Sequence, residues 1–262
     1  MTQKTYAITG VSNGIGREVA KALKADGHKV IGLDIIPSRE FVDQFIELDL
    51  SDFISIRTAC DQIPNGLDGI CNSAGLPPRL GLEEKILAVN FLGTREFTNQ
   101  LQGKLVEGAS VVNMASRAGH RWPQSVDQVK RLAGLGLDAD VEKFIVEEDI
   151  KDVRAYDLSK EAIILWTMAS SEVYLNRNQR INSISPGAVE TQILDDFEVA
   201  FGDRMTKNVQ RAGRAGSPAE IAQLAAFLLS EKSSWVKGSD ISIDGGMSAF
   251  TTSDNLLLAE LL

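Results

Sequence analysis

Two side chains four residues apart, Tyr156 and Lys160, have the types and the spacing for proton exchange with an alcohol. The segment around them has helical periodicity, and residues i and i+4 lie on one face of a helix. A free tyrosine, with a pKa of about 10, is a poor base near neutral pH. A cation held beside it favours the phenolate and lowers that pKa. The pair predicts an acid/base centre, although a surface tyrosine beside a solvated lysine would have the same spacing.

A second candidate site lies near the N-terminus, where a glycine-rich segment follows a short β-branched run and opens a helical one. Glycines let the backbone turn tightly and approach a pyrophosphate, whose charge then meets the helix N-terminus. The spacing differs from the usual GxGxxG, so the motif alone is weak. The predicted phosphate-binding residues are Gly10, Ser12, Asn13, Gly14, Ile15 and Gly16.

Asp34 strengthens this interpretation, because it ends the second predicted strand 20 residues after Gly14. An acidic side chain there would accept hydrogen bonds from an adenosine ribose, although an ordinary strand-end aspartate would look the same. A carboxylate at this point would repel a 2′-phosphate, and Ile35 and Ile36 supply no cation. NAD is therefore the expected cofactor, with NADP left open by the nearby Arg39.

The glycine-rich segment has a rival interpretation, because Gly10 to Gly14 also matches the GxSxG nucleophile elbow of hydrolases. Such a serine needs a histidine base, and the candidates are His28, at the entry to a strand, and His120. A hydrolase would leave Asp34 and the tyrosine–lysine pair unexplained. A serine hydrolase is kept as a remote alternative.

The elements that must position these residues follow an α/β pattern, in which short β-branched runs alternate with longer helical segments. This pattern is typical of a parallel sheet covered by helices on both faces. The predicted strands are Thr5–Thr9, Lys29–Leu33, Phe45–Leu48, Leu67–Cys71, Ser110–Asn113, Arg180–Ile184 and Asp240–Ile243. The predicted helices are Ile15–Ala25, Phe53–Gln62, Glu83–Leu105, Ala155–Leu175 and Pro218–Ser230. We predict one doubly wound, mostly parallel seven-stranded sheet in a single domain over residues 1–262.

Two segments do not fit the alternation, Gly119–Arg154 and Thr191–Gly216. The first has apolar residues at helical spacing and is predicted to be a helical insertion on the substrate side, or a mere shield of the surface. The second is predicted to be a mobile lid over the substrate, although its apolar residues could equally be helix core. Trp122, within the insertion, is either a substrate platform or a staple for the insertion.

Composition limits the classes of function. The chain has 262 residues, 44% of them hydrophobic, and a net charge of −9, which argues against nucleic-acid or anionic-membrane surfaces. No signal-peptide pattern or run of about 20 apolar residues is present, so a cytoplasmic location is expected. The two cysteines and two histidines have no metal-ligand spacing, and no metal is expected.

Together with Asn72-Ser73-Ala74-Gly75 after the fourth strand, these motifs resemble the short-chain dehydrogenase/reductase family over nearly the whole chain. The resemblance implies a Rossmann fold and an NAD-dependent alcohol dehydrogenase or carbonyl reductase. Matched by position, it implies that Ser116 bonds the reacting oxygen, Tyr156 is the acid/base, and Lys160 holds the ribose and lowers the tyrosine pKa. Asn90 would anchor a water that relays protons. The further cofactor contacts that it implies are Asp49, Leu50, Asn72, Ala74, Gly75, Pro186, Gly187, Val189 and Thr191.

The long connection between Ser116 and Tyr156 is similar to that of family members acting on coniferyl alcohol and on 3α-hydroxysteroids. An aromatic alcohol or hydroxysteroid is therefore the expected substrate. A non-catalytic NAD-binding regulatory or scaffold protein is the alternative from another class, although it would be free to lose Ser116, Tyr156, Lys160 and Asn90.

Assembly is predicted from the same insertion. Many family members form tetramers through the helix that carries Tyr156, and an insertion leading into that helix should cover its outer face. We therefore predict a two-fold homodimer built from Pro218–Ser230 and Asp240–Ile243, with the leucine-rich tail, residues 255–262, ordered near it.

Overall fold

The strands form one sheet in the order β3-β2-β1-β4-β5-β6-β7, and every pairing is parallel. This computed structural model describes residues 2–261, except for the side chains of Asp195, Glu198, Asp203 and Arg204. Met1 and Leu262, the two ends of the predicted domain, lie outside the described residues. The strands are β1 (Thr5–Thr9), β2 (Lys29–Asp34), β3 (Gln44–Glu47), β4 (Leu67–Asn72), β5 (Leu105–Met114), β6 (Arg180–Pro186) and β7 (Asp240–Ile243).

Alternation along the strands explains the two helical layers. In β1, Ala7 points into the cluster under α2 and α4, whereas Tyr6 and Ile8 point into the cluster under α1 and α10. Both faces are buried, as a parallel sheet requires. The α-helices are α1 (Gly14–Ala25), α2 (Phe53–Gln62), α3 (Glu83–Leu87), α4 (Thr94–Leu101), α5 (Val126–Ala133), α6 (Val141–Glu147), α7 (Arg154–Leu175), α8 (Leu194–Phe201), α9 (Asp203–Ala212), α10 (Pro218–Leu229) and α11 (Met247–Leu256).

The predicted doubly wound α/β fold is confirmed, and all seven predicted strands are present. The largest error concerns Glu83–Leu105, which was predicted as one helix. It is instead α3, a π-helical segment (Ala88–Gly93), α4 and a 3₁₀ turn (Gln102–Lys104), and Leu105 begins β5. Gly93 ends the π segment, and close packing requires a glycine there, since a Cβ atom on Gly93 would lie 1.8 Å from the Leu50 carbonyl oxygen.

The insertion packs against α7. It comprises a 3₁₀ helix (Arg117–Gln124), α5 and α6, and its apolar residues Val129 and Phe144 share a buried cluster with Leu158 of α7. The insertion begins in direct contact with α7, because a Cβ on Gly119 would lie 2.8 Å from the Lys160 carbonyl. The expected covering of the Tyr156 helix is therefore present over its first turns.

The segment predicted to be a lid contains α8 and α9, joined at Gly202, which has a φ of +52° that favours glycine. It contacts the C-terminal helix α11, which sequence analysis did not predict. Arg211 of α9 makes two contacts with Asp254 of α11, at 2.5 and 3.2 Å, and its guanidinium lies 4.8 Å from the Phe250 ring centroid. No helix within residues 2–261 is long and apolar enough to cross a membrane.

Candidate active site

A cleft of about 470 Å³ lies at the carboxyl ends of the strands, as expected for a doubly wound sheet. It brings together the glycine-rich loop after β1, the end of β2, and the tyrosine on α7. The predicted site residues that line it are Gly10, Asn13, Gly14, Ile15, Gly16, Asp34, Asp49, Leu50, Ala74, Gly75, Ser116, Tyr156, Lys160, Pro186, Gly187, Val189 and Thr191.

The glycine-rich loop is folded tightly against the strand ends. Gly10 has a φ of +70°, and a Cβ there would lie 2.7 Å from the Ala74 nitrogen. The Thr9 hydroxyl accepts hydrogen bonds from the Ser73 and Ala74 amides, both at 3.1 Å. Asn13, the N-cap of α1, makes no side-chain capping bond within the described chain, so the amides of this helix start are left for an anion.

Asp34 lies at the other end of this loop. Its two carboxylate oxygens accept hydrogen bonds from the Ser12 amide at 3.1 Å and from the Ile36 amide at 3.0 Å. These bonds fix the carboxylate in the cleft and leave each oxygen with further acceptor capacity. Asp49, also in the lining, is held by the amide and hydroxyl of Ser51 at 2.8 and 2.6 Å.

Ser116 and Tyr156 both line the cleft, and the Ser116 hydroxyl acts on the Tyr156 phenol, whose pKa it lowers. Ser116 follows β5 and caps the 3₁₀ helix, with its hydroxyl oxygen accepting from the Ala118 amide at 3.1 Å. Lys160 is buried one helical turn from Tyr156. Its ammonium donates to the Met114 carbonyl at 2.9 Å and lies 5.7 Å from the centroid of the Tyr156 ring.

The electrostatics correct one expectation. The sequence predicts that Lys160 lowers the pKa of Tyr156, but in this structure burial raises that pKa above its usual value, and the Ser116 hydroxyl opposes the rise only in part. Burial lowers the pKa of Lys160 to about 8. The phenol is thus held in its protonated form while the lid covers it.

The lid contributes to that burial. The Phe197 and Phe201 rings meet the Tyr156 ring edge-on, with centroids 5.3 and 6.5 Å away. The two phenylalanine rings are nearly parallel, at 10°, with centroids 6.2 Å apart. Leu194 and Met205 also line this end of the cleft, so the lid interpretation of these apolar residues is favoured over an ordinary helix core.

Among the described residues, three predicted site residues do not line the cleft. Ser12 contributes its amide to Asp34, and its hydroxyl donates to the Ile36 carbonyl. The prediction that Asn72 lines the cofactor groove is wrong, because its buried side-chain amide donates to Thr98 and Asn113, both at 2.8 Å. These bonds connect β4 to the core.

The third is Asn90, in the π segment. Its side chain accepts from the Leu76 amide at 2.7 Å and donates to the Leu76 carbonyl at 3.0 Å and to Ser159 at 3.3 Å. Its carboxamide oxygen lies only 3.3 Å from a Cβ built on Gly75, which lines the cleft. Asn90 therefore supports the wall of the cleft at Gly75, next to Lys160. Its role with a water stays a prediction.

Sequence analysis missed several cleft residues, and only some had a detectable signal. Arg79 and Lys85 lie in or after an aperiodic loop, whereas Met247 follows the Asp244-Gly245-Gly246 motif.

Two residues whose role the sequence left open have structural contacts. His120 lies between Asp240, at 3.3 Å, and Ser248, at 3.2 Å, and Trp122 packs against the insertion cluster. Trp122 therefore fits the staple interpretation.

Fold and site together define a class, the Rossmann-type oxidoreductases. A doubly wound sheet places a glycine-rich helix start at one end of the cleft and a serine and a tyrosine with a nearby lysine at the other.

Comparisons with known proteins identify the family. The model described as short chain dehydrogenase matches residues 4–126, and that described as enoyl-(acyl carrier protein) reductase matches residues 143–248. Coniferyl-alcohol dehydrogenase of Pseudomonas sp. (strain HR199 / DSM 7063) is 32% identical over 95% of this chain and 98% of its own. The 3-alpha-hydroxysteroid dehydrogenase/carbonyl reductase of Comamonas testosteroni is 30% identical over 92% and 95%. The chain belongs to the short-chain dehydrogenase/reductase family.

The solved structures agree. The crystal structure of 3-alpha-hydroxysteroid dehydrogenase from Pseudomonas sp. B-0831, complexed with NADH, superposes with a TM-score of 0.79 at 27% identity. The match covers 95% of this chain and 98% of that one. The resemblance to the family predicted from the motifs is thereby confirmed.

Proposed function

We propose that this protein is an NAD-dependent dehydrogenase that interconverts an alcohol and its carbonyl compound, with Tyr156 as the acid/base. The observation that carries this proposal is that Ser116, Tyr156 and Lys160 line the same cleft as the glycine-rich loop and Asp34. Ser12, the nucleophile of the rival hydrolase interpretation, lies outside the cleft lining, and its hydroxyl donates to a backbone carbonyl.

The residues present fit a dinucleotide. The glycine-rich loop has no side-chain bulk at Gly10 and Gly14, and the start of α1 offers amides for a pyrophosphate. Asp34 has acceptor capacity for the two hydroxyls of an adenosine ribose, and its charge opposes a 2′-phosphate. When bound, a nicotinamide would supply the hydride chemistry.

The protein supplies proton transfer and position. In the oxidative direction the Tyr156 phenolate would take the proton of the substrate hydroxyl, and in the reductive direction the phenol would return it to the carbonyl oxygen. Ser116 would hold that oxygen through its hydroxyl. The Lys160 ammonium donates one proton to the Met114 carbonyl, and its two other protons would bind ribose hydroxyls.

The substrate class follows from the lid. Phe197, Phe201, Leu194 and Met205 give the substrate end an apolar wall, which suits a secondary or aromatic primary alcohol better than a sugar. The relatives named for coniferyl alcohol and for 3α-hydroxysteroids support the same two candidates. We therefore propose a coniferyl-alcohol-like or hydroxysteroid-like substrate.

A non-catalytic NAD-binding regulatory protein is the second candidate. Its support is the closed lid, because burial by the lid raises the pKa of Tyr156 and disfavours the phenolate. A panel of aromatic alcohols and hydroxysteroids, supplied with NAD or NADP and followed by formation of the reduced nicotinamide, separates the two. We expect NAD-linked turnover.

Tyr156→Phe is the matched variant in that experiment, since it removes only the phenol hydroxyl, with its transferable proton and its interaction with Ser116. We expect turnover to fall by at least about 100-fold, the usual contribution of a general acid/base, while NAD binding measured by calorimetry persists. Lys160→Ala should weaken both turnover and NAD binding. A phenylalanine variant with near-wild-type kcat would refute the mechanism.

We further propose a cytoplasmic homodimer. The location is supported by the two cysteines, Cys60 and Cys71, which are both free and buried. The assembly is supported by exposed apolar side chains near the predicted interface, on α10 and the C-terminal tail.

A further inference from the structure

One ion pair crosses from the body of the protein to the lid. The Arg79 guanidinium, in the loop after β4, donates from two nitrogens to the two carboxylate oxygens of Asp196 on α8, at 2.8 and 2.7 Å. This bidentate geometry is more directional than a single contact. Arg79 itself lines the cleft.

The pair acts next to the aromatic cover of Tyr156. Asp196 is the residue before Phe197, whose ring lies 5.3 Å from the Tyr156 ring. Fixing the Asp196 carboxylate limits rotation and lifting of α8, and therefore fixes Phe197 on the tyrosine. Gly202, with a φ of +52°, separates α8 from α9, whose far end is tied to α11 by Arg211 and Asp254.

We propose that Arg79 is a positioning residue for the reaction, which holds α8 closed over Tyr156 through Asp196 and so sets how readily substrate and product pass. Both side chains reach solvent, so the pair is weak and is screened by salt. A weak fastening is suited to a lid that must open in every turnover. The kinetic consequence rests on the proposed function, but the closure itself does not.

Asp196→Asn tests the proposal, with Glu220→Gln as the matched control. Glu220 makes a similar two-oxygen pair with Arg214, at 2.6 and 2.8 Å, at the start of α10. Each change removes one carboxylate charge from an arginine pair, and neither removes a trypsin site. Trypsin cleavage in the lid, after Lys207 or Arg211 and mapped by mass spectrometry, then reports opening without any need for turnover.

For the wild type we expect salt to accelerate lid cleavage, because it screens the pair. We expect Asp196→Asn to speed cleavage about threefold to fivefold, the range open to an exposed pair, and to remove this dependence on salt. The KM for the alcohol should rise by a similar factor with kcat retained, because bound ligands add their own contacts to the closed lid. Glu220→Gln should leave all three measurements at wild-type values.

Reversal of the pair completes the test. Arg79→Asp alone places two carboxylates together and should open the lid further, whereas Arg79→Asp combined with Asp196→Arg should restore slow cleavage after Lys207 and the wild-type KM. A lysine-specific protease is used for these variants, because Arg79→Asp removes a trypsin site and Asp196→Arg adds one in the lid. Equal cleavage of the Asp196→Asn and Glu220→Gln variants, or no recovery in the reversed pair, would overturn the proposal. If no alcohol is turned over by the wild type, the proposed function fails, and the cleavage experiments still decide on the ion pair.

Discussion

Lys160 keeps a charge where its surroundings oppose one. Burial lowers its pKa to about 8 from an ordinary value of 10.5. Below pH 8 the side chain is protonated in both the folded and the unfolded chain, so the full cost of burying the charge is present. Between pH 8 and 10.5 the unfolded chain binds more protons, and the free energy of unfolding rises with pH.

This sign gives a prediction for Lys160→Met, which fills the same space without the charge. Relative to wild type, the variant should lose stability as pH rises from about 7 to about 10, by at most about 3 kcal/mol over the whole titration. Urea unfolding of both proteins at the two pH values measures the difference, in which other titrating groups largely cancel. A pH-independent difference would show that the ammonium is not desolvated.

Asp34 should determine the choice of cofactor. Asp34→Ala removes a charged acceptor and should weaken NAD binding by about 1–3 kcal/mol while narrowing the discrimination against NADP. Glu47→Ala is the matched control, because Glu47 lies directly opposite Asp34 in the register of β2 and β3 and is exposed. Calorimetry with both cofactors measures the effect. A wild type with equal NAD and NADP efficiency would contradict the assignment.

At the scale of elements, α7 connects the reaction chemistry to the insertion. Glu161, one residue after Lys160, is fully buried and pairs with Arg154 at 2.7 and 3.0 Å. It also accepts from Ser125 at 3.3 Å, at the entry to α5. These bonds join the start of α7 to the insertion by a buried charge.

Removing one partner of a buried pair leaves the other charge uncompensated. Glu161→Ala should therefore lower the free energy of unfolding by about 3–5 kcal/mol and increase hydrogen exchange across α5. Glu148→Ala, which breaks the more exposed pair with Arg131, should cost about 1 kcal/mol or less. Equal losses in the two variants would mean that the Arg154–Glu161 pair does not hold the insertion in place.

Most elements were predictable, because hydrophobic period and turn residues act locally. The bounds of β1, β7 and α2 agree with their predictions. The π segment was not predictable from apolar periodicity, and the close approach of Gly93 to the distant Leu50 carbonyl is a tertiary contact. Periodicity of the sequence contains no record of that contact.

Some residues of the site were also predictable from local motifs, and others were not. Residues in short motifs, such as Tyr156 and Gly10, were predicted to line the cleft and do so. Asn72 was misplaced because its neighbour Ala74 faces the cleft while its own side chain turns into the core. The pKa of Tyr156 is raised by burial, to which Phe197, about 40 residues later in the chain, contributes. Local motifs do not encode this tertiary contact.

At the scale of the whole molecule, apolar side chains on the surface point to assembly. Trp235 is 90% exposed, Leu261 is 81% exposed, and Phe227 of α10 is also exposed. Contiguous exposed apolar surface marks association sites. The insertion meanwhile covers the first turns of α7, the helix through which many family members form tetramers.

We predict a homodimer through α10 and β7, which the tail helps to stabilise. A chain ending at Asp254 keeps the contact between Arg211 and Asp254 but loses the exposed leucines, and should dissociate more readily. Light scattering coupled to gel filtration of the full and shortened chains measures this. A monomeric full-length protein, or a tetramer joined through α7, would contradict the prediction.

We predict that the contact of Arg211 with Asp254 and Phe250 couples ligand binding to assembly. It fastens α9 of the lid to α11, the helix that leads into the exposed leucines. If closing the lid over a substrate orders α11, closure changes the free energy of subunit association. Thermodynamic reciprocity then requires association to change substrate affinity by the same factor. The enzyme would bind its substrate with an affinity that varies on dilution.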